Sequence, residues 1–422
     1  MISIKKLSIL LCVIFLSCNN QVIENEDLLP EDENEETEEL PQPSGLTYPI
    51  VSTNQKIAYN NSTAFDQLPG EESEFYGQDA HYKGLQPSYS VDEANKTVTD
   101  NHTGLMWEQG FNVMTSTEAE AYLIEKNNGI YSDWRIPTIK ELYSLIQFDG
   151  TDVSGSDMES QPPSTAIPFI DDSVFDFEYF ANGTRSIDVQ YYSSTEYTGV
   201  TMGKDRTLFG LNVADGRIKG YPFTSRGAEK EYSLKLVRGN TSYGINQFVD
   251  NEDETISDIA TGLMWDKEDS QKAMEWAEAL TWVKSLNASN YKGYNDWRLP
   301  NAKELHSILD YSRSPQSTNS AAIDPIFSIS KIEVEGGLMD YPFFWSSTTH
   351  LNLQRASNAV YLCFGEALGF FPEGSTTPID VHGAGAQRSS PKTDDGKDYS
   401  QGHGPQGDVV RFENYVRVVR TF

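Results

Sequence analysis

Apolar and polar positions follow one pattern twice along the chain, and each pass predicts the same succession of elements. Segments 98–107 and 256–265 place β-branched residues ahead of a turn and an apolar run, which is typical of a strand. Apolar residues then recur at helical spacing, over 116–126 in the first pass and over 273–284 in the second. Each pass therefore opens with a strand followed by a helix.

A second helix is predicted beside Pro137 and Pro300, because proline suits the first turn of a helix, where no amide hydrogen is needed. The apolar residues that follow keep helical spacing: Ile139, Leu142, Leu145 and Ile146, then Ala302, Leu305, Ile308 and Leu309. His306 falls on the polar side of its helix, so we expect it at the surface.

Long irregular stretches follow at 149–188 and 311–340, and short alternating strands close each pass. The closing segments 234–239 and 416–421 are expected to return beside the first strand. The predicted class is α+β, with two helices and a small antiparallel sheet in each half.

The repetition extends to identical motifs. The recurring motifs are TGLMW at 103–107 and 261–265, DWRIP and DWRLP at 133–137 and 296–300, and SST at 193–195 and 346–348. A unit of about 160 residues that occurs twice predicts two like domains. We place them at 47–240 and 241–422, each with its own core.

The N-terminus predicts export. Two lysines precede the apolar run 7–16, which is too short to span a bilayer, and Ser17-Cys18 follows. The segment 15–18 resembles a bacterial lipoprotein signal, which implies a signal peptide over 1–17 and lipidation of Cys18. The alternative is an ordinary secretory signal with an incidental cysteine. If Cys18 is lipidated, we expect the lipid to anchor the protein to the bacterial outer membrane or the cell surface.

A tether is predicted over 18–46. It carries ten acidic residues between Glu24 and Glu39 and no basic one, so charge repulsion favours an extended, disordered chain. It serves either as a spacer or surface-export signal, or as a solvated linker only.

The composition of the chain limits the classes of molecule that it is expected to bind. The formal net charge is −31, which argues against nucleic acid and favours cations or neutral ligands such as sugars. Beyond Cys12 and Cys18 the only cysteine is Cys363, so no internal disulfide is expected if Cys18 is lipidated.

These motifs, with DWRLP-x-x-x-EL and the final VR-x-VR, resemble the Lcl C-terminal domain family, in two copies across 95–422. Segments 48–55 and 75–82 resemble the lead-in found in such proteins. The family's namesake is a bacterial surface adhesin that binds glycosaminoglycans, so the resemblance implies adhesion or glycan binding. This chain departs from it, since it has no collagen-like region and its negative charge disfavours sulfated glycans.

A more distant resemblance links the RLP-x-x-x-E helix to formylglycine-generating, sulfatase-modifying domains, which implies a C-type-lectin-like fold. Their oxidase chemistry needs reactive cysteines. Cys363 stands alone in a predicted strand and is interpreted as apolar filler. The chain also has no nucleophile elbow, HExxH pair or phosphate-binding glycine loop.

The repeated aromatic and charged residues are interpreted mainly as scaffold. Those assigned to structure are Trp107, Trp134, Arg135, Glu141, Trp265, Trp297, Arg298 and Glu304, and Trp345 is also expected in the core. The arginine and glutamate of each copy are placed to form a salt bridge across a helix start. A catalytic role for the pair is the weaker alternative.

One segment, 375–410, is present in the second copy only and replaces the short stretch 224–231 of the first. It is rich in Gly, Asp and His, and such a loop can wrap a Ca-like cation or line a ligand groove. The candidate metal ligands are His382, Asp394, Asp398, His403 and Asp408. The candidate ligand-binding residues are Gln387, Arg388 and Tyr399, with Trp282 as a surface aromatic outside the segment.

Three functions remain open. The first is a surface-anchored, non-catalytic binding protein for a glycan or another cell-surface ligand. The second is an extracellular hydrolase that uses carboxylates such as Glu366, Asp380 or Asp408 with His403. The third is a structural protein of the cell envelope.

Overall fold

The two copies of the motif pattern build two similar sets of helices and strands in a computed structural model that describes residues 45–155 and 157–422. The signal segment, Cys18 and the tether up to residue 44 lie outside the described residues. Within the described part of the chain, no helix combines the length and apolar character needed to cross a membrane.

The first repeat contains two α-helices, α1 (Ser116–Lys126) and α2 (Ile139–Ser144). Its strands are β1 (Tyr89–Asp92), β2 (Thr97–Asp100), β3 (Leu105–Glu108), β4 (Asn112–Met114), β5 (Gln190–Tyr191), β6 (Thr207–Asn212), β7 (Arg217–Pro222), β8 (Thr224–Ser225), β9 (Ala228–Glu229), β10 (Tyr232–Leu234) and β11 (Val237–Gly239). A lead-in with the 3-10 helix Asp79–His81 precedes them.

The second repeat contains α3 (Trp276–Ala288), α4 (Ala302–Ser307), the short α5 (Pro315–Thr318) and the 3-10 helix Tyr291–Gly293. Its strands are β12 (Phe248–Asp250), β13 (Thr255–Asp258), β14 (Leu263–Asp266), β15 (Ile332–Glu333), β16 (Met339–Asp340), β17 (Phe343–His350), β18 (Asn358–Cys363), β19 (Leu368–Gly369), β20 (Ile379–Asp380), β21 (Gln387–Pro391) and β22 (Val419–Thr421). The mixture is α+β, as predicted.

Each repeat has its own four-stranded antiparallel sheet, in the orders β1-β2-β3-β11 and β12-β13-β14-β22. The closing strand returns beside the TGLMW strand in both, which confirms the prediction. Trp107 lies opposite Val237 in the first sheet, and Trp265 lies opposite Val419 in the second. Both tryptophans are fully buried.

An eight-stranded sheet joins the repeats, in the order β17-β18-β21-β7-β6-β5-β10-β4. The strand at the join is β21, which comes from the inserted segment 375–410 and meets β7 where Gln387 pairs with Ile218. In the second repeat the stretch that corresponds in sequence to β7 forms β19, which pairs with β20 instead. The insert therefore supplies the strand through which the repeats share a sheet.

Repeated motifs make repeated contacts. Arg238 donates to Asp133 and its guanidinium lies 4.0 Å from the centre of the Tyr131 ring. In the second repeat Arg420 donates to Asp296 and lies 4.2 Å from the Tyr294 ring. The SST threonines also match, because Thr195 accepts a hydrogen bond from the Ile139 amide and Thr348 accepts one from the Ala302 amide.

The short helices α2 and α4 start with the same cap. Thr138 and Asn301 are the N-cap residues, and Glu141 and Glu304 complete capping boxes. Pro137 and Pro300 thus precede the cap, and our placement of them in the first helical turn was wrong by two residues. At the first helical position, where a proline would have no N–H, the amides of Ile139 and Ala302 donate to the SST threonines.

A pseudo-two-fold relation brings α2 and α4 together. Lys140 Nζ donates to the carbonyl of Ser307, and Lys303 Nζ donates to that of Ser144, which is the reciprocal pattern of a symmetric interface. The rings of Tyr143 and His306, which occupy equivalent sequence positions, lie 4.1 Å apart. His306 is only 1% exposed, so the expectation of a surface histidine was wrong.

The largest buried apolar cluster contains residues of both repeats, including Trp107 and Trp265. Smaller clusters around Trp276 and Trp134 belong to the second and first repeats respectively. The prediction of two separate cores therefore gives way to one main core that crosses the repeat boundary.

Candidate functional site

The inserted segment does not project as a loop at Gln387 and Arg388. Both residues lie in β21, between β18 and β7, and Gln387 is fully buried. Because no part of Gln387 is accessible to solvent, its side chain is not presented to a ligand. These two predicted ligand-binding residues lie at the join between the repeats.

Arg388 belongs to a network of buried charges. Its guanidinium forms an ion pair with Asp408, and His382 Nε2 lies 2.9 Å from the other carboxylate oxygen of Asp408. Burial lowers the pKa of His382 well below its ordinary value, and the charge on Arg388 acts in the same direction. Lys219 and Arg217 of β7 pair nearby with Asp215. The network joins the insert to the first repeat.

Of the five residues predicted to bind a metal, His382 and Asp408 make a side-chain contact, and no such contact joins Asp394, Asp398 or His403 to them in the described part of the chain. Asp394 and Asp398 are exposed and accept hydrogen bonds from amides two residues further on, Gly396 and Ser400. His403 and Asp408 exchange backbone hydrogen bonds of 2.8 Å. No group of three or more His, Cys, Asp or Glu side chains suited to a metal ion occurs in residues 45–155 and 157–422. The insert carboxylates cap turns or pair with Arg388 instead.

The aromatic candidates have ordinary packing contacts. Trp282 is half-buried and packs against the apolar cluster of the second repeat. Tyr399 is half-buried, donates to Asp395 at 3.0 Å and lies 5.8 Å from the Phe412 ring. Cys363 is a free, buried cysteine in β18, and burial raises the pKa of its thiol.

The carboxylates considered for hydrolysis are also engaged. Asp380 accepts from the Tyr197 hydroxyl at 2.7 Å and from the Gly383 amide at 2.7 Å. Burial, together with the charge of Glu366, raises its pKa to about 7. His403 is exposed and has no contact with Asp380 among the described residues. These groups do not form an acid and base pair around an open space.

A groove of about 620 Å³ lies elsewhere, between the N-terminal turn of α2 and the second repeat. Its lining residues are Arg135, Thr138, Ile139, Lys140, Glu141 and Thr195 of the first repeat, Thr241, Tyr243, Gly244, Ile245 and Asn246 of the connecting segment 240–247, and Phe248, Ile308, Leu309, Asp310, Tyr311, Ser312 and Asp324 of the second repeat. The lining combines aromatic and aliphatic side chains with charged and hydroxyl groups, and such a combination can both bury a ligand and orient it.

Three charged groups of the groove, those of Arg135, Glu141 and Lys140, are held by hydrogen bonds. Arg135 forms an ion pair with Glu141, and Glu141 also accepts from the Thr138 amide at 2.8 Å. Lys140 Nζ donates to Asn246 at 2.9 Å, and burial lowers its pKa to about 8. Each side chain is therefore positioned by the helix cap or by the connecting segment before any ligand arrives.

The second repeat has the same residues at the start of α4, but there the lead-in covers them. Arg298, Glu304 and Thr348 correspond to Arg135, Glu141 and Thr195 in the repeated motifs. Thr348 donates to Asp79 at 2.6 Å. The guanidinium of Arg298 lies 5.6 Å from the centre of the Tyr82 ring.

No equivalent partner covers the first repeat. The Thr195 hydroxyl accepts from the Ile139 amide but donates to no acceptor in the described part of the chain. The side chain of Arg135 is 26% exposed, compared with 10% for Arg298, and no described aromatic ring covers it. The groove is thus the open counterpart of a place that the lead-in fills in the second repeat.

Sequence reasoning missed this groove. The motifs SST and DWRIP were recognised as repeated, but their repetition was interpreted only as evidence of a structural role. The available signal was the lead-in, because segments 48–55 and 75–82 occur once while the motifs that they cover occur twice.

Comparison with known proteins supports the repeat assignment. The family model of the Lcl C-terminal domain matches residues 96–238 and again 254–377. The second match ends at residue 377, two residues after the start of the inserted segment 375–410. A search of curated proteins and a search of solved structures each found no match. Two matches that together span more than half of the chain show that it belongs to the Lcl C-terminal domain family.

Proposed function

We propose that this chain is a non-catalytic binding protein that takes its ligand in the groove beside α2. The observation that carries the proposal is the contrast between the repeats. The same charged and hydroxyl side chains are covered by the lead-in beside α4 and are open to a volume of about 620 Å³ beside α2. Rigid, partly unsatisfied groups in an open groove are suited to recognition.

The place of action is part of the proposal. The lipoprotein-like signal supports an anchor at Cys18, and the acidic tether supports a folded part held away from the membrane surface. The protein would then be exported and would meet its ligand at the outer membrane or the cell surface. The C-type-lectin-like fold of each repeat is also part of the proposal, and its support is the distant resemblance of the RLP-x-x-x-E helix to formylglycine-generating domains.

The ligand class follows from charge. The net charge of −31 disfavours polyanions such as sulfated glycans. A neutral glycan or a polypeptide segment on another surface protein fits better. Hydrolysis is less well supported, because the carboxylates and His403 of that alternative do not share an open site.

The test is an array of oligosaccharides and peptides probed with the purified full-length chain. Thr241 lines the groove, is exposed and makes no side-chain hydrogen bond among the described residues, so Thr241→Trp should block the groove without disturbing the fold. Ser242→Trp is the matched control, because Ser242 is exposed but does not line the groove. We expect wild type and Ser242→Trp to bind and Thr241→Trp to lose the signal. Equal signals from all three chains, or none from wild type, would overturn the proposal.

A further inference from the structure

The second repeat contains an internal template for what the groove of the first repeat should bind. The template is the lead-in turn Gln78–Tyr82, which lies against α4. Because the two repeats place equivalent side chains at both positions, the contacts of this turn describe the chemistry that the vacant position accepts.

The first contact of the template is a buried carboxylate. Asp79 is 4% exposed and accepts from Thr348 at 2.6 Å and from Thr53 at 2.7 Å. Burial, the largest influence, and the charge of Glu304 raise the pKa of Asp79 to about 6, whereas the two hydrogen bonds and the charge of Arg298 act in the opposite direction. The carboxylate is thus compatible with an arginine–glutamate pair beside it.

The second contact is an aromatic ring. Tyr82 follows Asp79 by three residues, which is one turn of the 3-10 helix Asp79–His81, and its ring faces the guanidinium of Arg298. A ring over an arginine provides a cation–π contact on a surface that is otherwise partly exposed. The pair of contacts therefore depends on a fixed spacing along a single turn of chain.

The first repeat offers the partners for both contacts. The Thr195 hydroxyl has a free hydrogen to donate, and Arg135 has an uncovered guanidinium. Lys140 occupies the position of Lys303. Lys303 donates to the lead-in carbonyl of Ser52, whereas Lys140 donates to the side chain of Asn246 in the connecting segment. Relative to the template, the groove therefore lacks the bound carboxylate, the ring over the arginine and the second hydroxyl donor Thr53, which the lead-in itself supplies.

We propose that the groove beside α2 binds a peptide turn from another protein in which an acidic residue is followed three residues later by an aromatic one. The carboxylate accepts from Thr195 and lies near Arg135 and Lys140, and the ring covers the Arg135 guanidinium. A second copy of this chain is a poor donor of such a turn, because its own Asp79 is buried against Thr348. This inference rests on the proposed function and specifies its ligand.

An acidic sugar is the competing ligand, since it also combines a carboxylate with a flat face. The peptide is favoured because the template is a turn of polypeptide chain, and the spacing of its two contacts is set by that turn.

The test uses a fluorescein-labelled nonapeptide with the sequence of residues 76–84 and the full-length protein, with fluorescence polarisation as the readout. We expect saturable binding by wild type. A peptide carrying Asp79→Asn, and separately one carrying Tyr82→Ala, should bind about ten-fold more weakly, since each loses one of two contacts. Thr195→Val in the protein should give a similar loss.

The controls separate this inference from the proposed function. Thr241→Trp should abolish peptide binding and Ser242→Trp should keep it within about two-fold, because only Thr241 lines the groove. Galacturonic acid, which carries a single carboxylate, is the second probe. If that sugar binds in a Thr241-dependent way and the peptide does not, the proposed binding function stands and the peptide inference is wrong. If the peptide binds equally to wild type, Thr195→Val and Thr241→Trp, the inference is also wrong.

Discussion

The starts of α2 and α4 carry the same arginine, glutamate, lysine and threonine, yet one lies in an open groove and the other under a buried turn. The difference comes from the chain outside the repeated motifs, since the lead-in 48–82 covers α4 and a shorter connecting segment runs beside α2. In a duplicated fold, the motifs therefore set which groups are available, and the non-repeated segments decide which of them stay open.

The largest difference in stability between the two helix starts should appear when the equivalent threonines Thr348 and Thr195 are replaced. Thr348→Val removes a cap to the Ala302 amide and a hydrogen bond to buried Asp79, and we expect a loss of about 3 kcal/mol in the free energy of unfolding. Thr195→Val removes only the cap and should cost about 1 kcal/mol. Urea denaturation of the two variants provides the measurement. Equal losses would mean that Asp79 does not distinguish the two positions.

Asp79, which occupies the covered position beside α4, should also make the stability of the folded chain depend on pH. Burial raises its pKa to about 6. Between about pH 4 and pH 6 the folded chain therefore holds a proton that the unfolded chain releases, and this contribution to stability is lost as the pH rises. We expect the free energy of unfolding of wild type, relative to Asp79→Asn, to fall by about 2 kcal/mol over this range. A pH-independent difference would contradict the assignment.

The equivalent lysines Lys303 and Lys140 provide a second comparison of the two helix starts. Burial lowers the pKa of Lys303 to about 7 and that of Lys140 to about 8. Each lysine loses its proton earlier in the folded than in the unfolded chain, so stability should rise with pH from the folded value towards the ordinary one.

Thermal melts of Lys303→Met and Lys140→Met between pH 6 and pH 9.5 test this expectation. In Lys303→Met the rise in stability that starts at about pH 7 should be absent, and in Lys140→Met the rise that starts at about pH 8 should be absent. The two variants should therefore differ by about 1 kcal/mol in the free energy of unfolding near pH 8. Identical profiles would show that the two environments are alike.

The smallest changes in stability are expected at Tyr143 and His306, which occupy equivalent positions where α2 and α4 meet. Tyr143 has a buried hydroxyl without a partner among the described residues, whereas His306 Nε2 lies 2.9 Å from the Tyr311 hydroxyl. Tyr143→Phe should change the free energy of unfolding by less than about 0.5 kcal/mol, and His306→Phe should lower it by about 1 kcal/mol. Chemical denaturation of both variants checks the order, and a larger loss for Tyr143→Phe would reverse it.

Local features of this fold were predictable from the sequence. The helices α1 and α3, the salt bridges of Arg135 and Arg298 and the return of the last strand all follow from patterns within one repeat, where periodicity and caps act over short distances. The repeated tryptophans were expected in the core, and all of them are buried.

Long-range relations were not predictable in the same way. The pairing of β21 with β7 joins residues that are far apart in the chain, and composition alone made the insert resemble a free loop. His306 looked polar on its helix, yet it faces the equivalent position of the other repeat. The groove itself depends on what the lead-in covers, which no single motif encodes.

Hydrogen exchange measured by mass spectrometry tests the contrast between the two helix starts most directly. The full-length chain is compared with and without an excess of the nonapeptide of residues 76–84. We predict slower exchange in 135–141 and 241–248, which line the groove, and no change in 298–304, where the lead-in already covers the same motif. Protection at 298–304, or equal protection at both helix starts, would contradict the account.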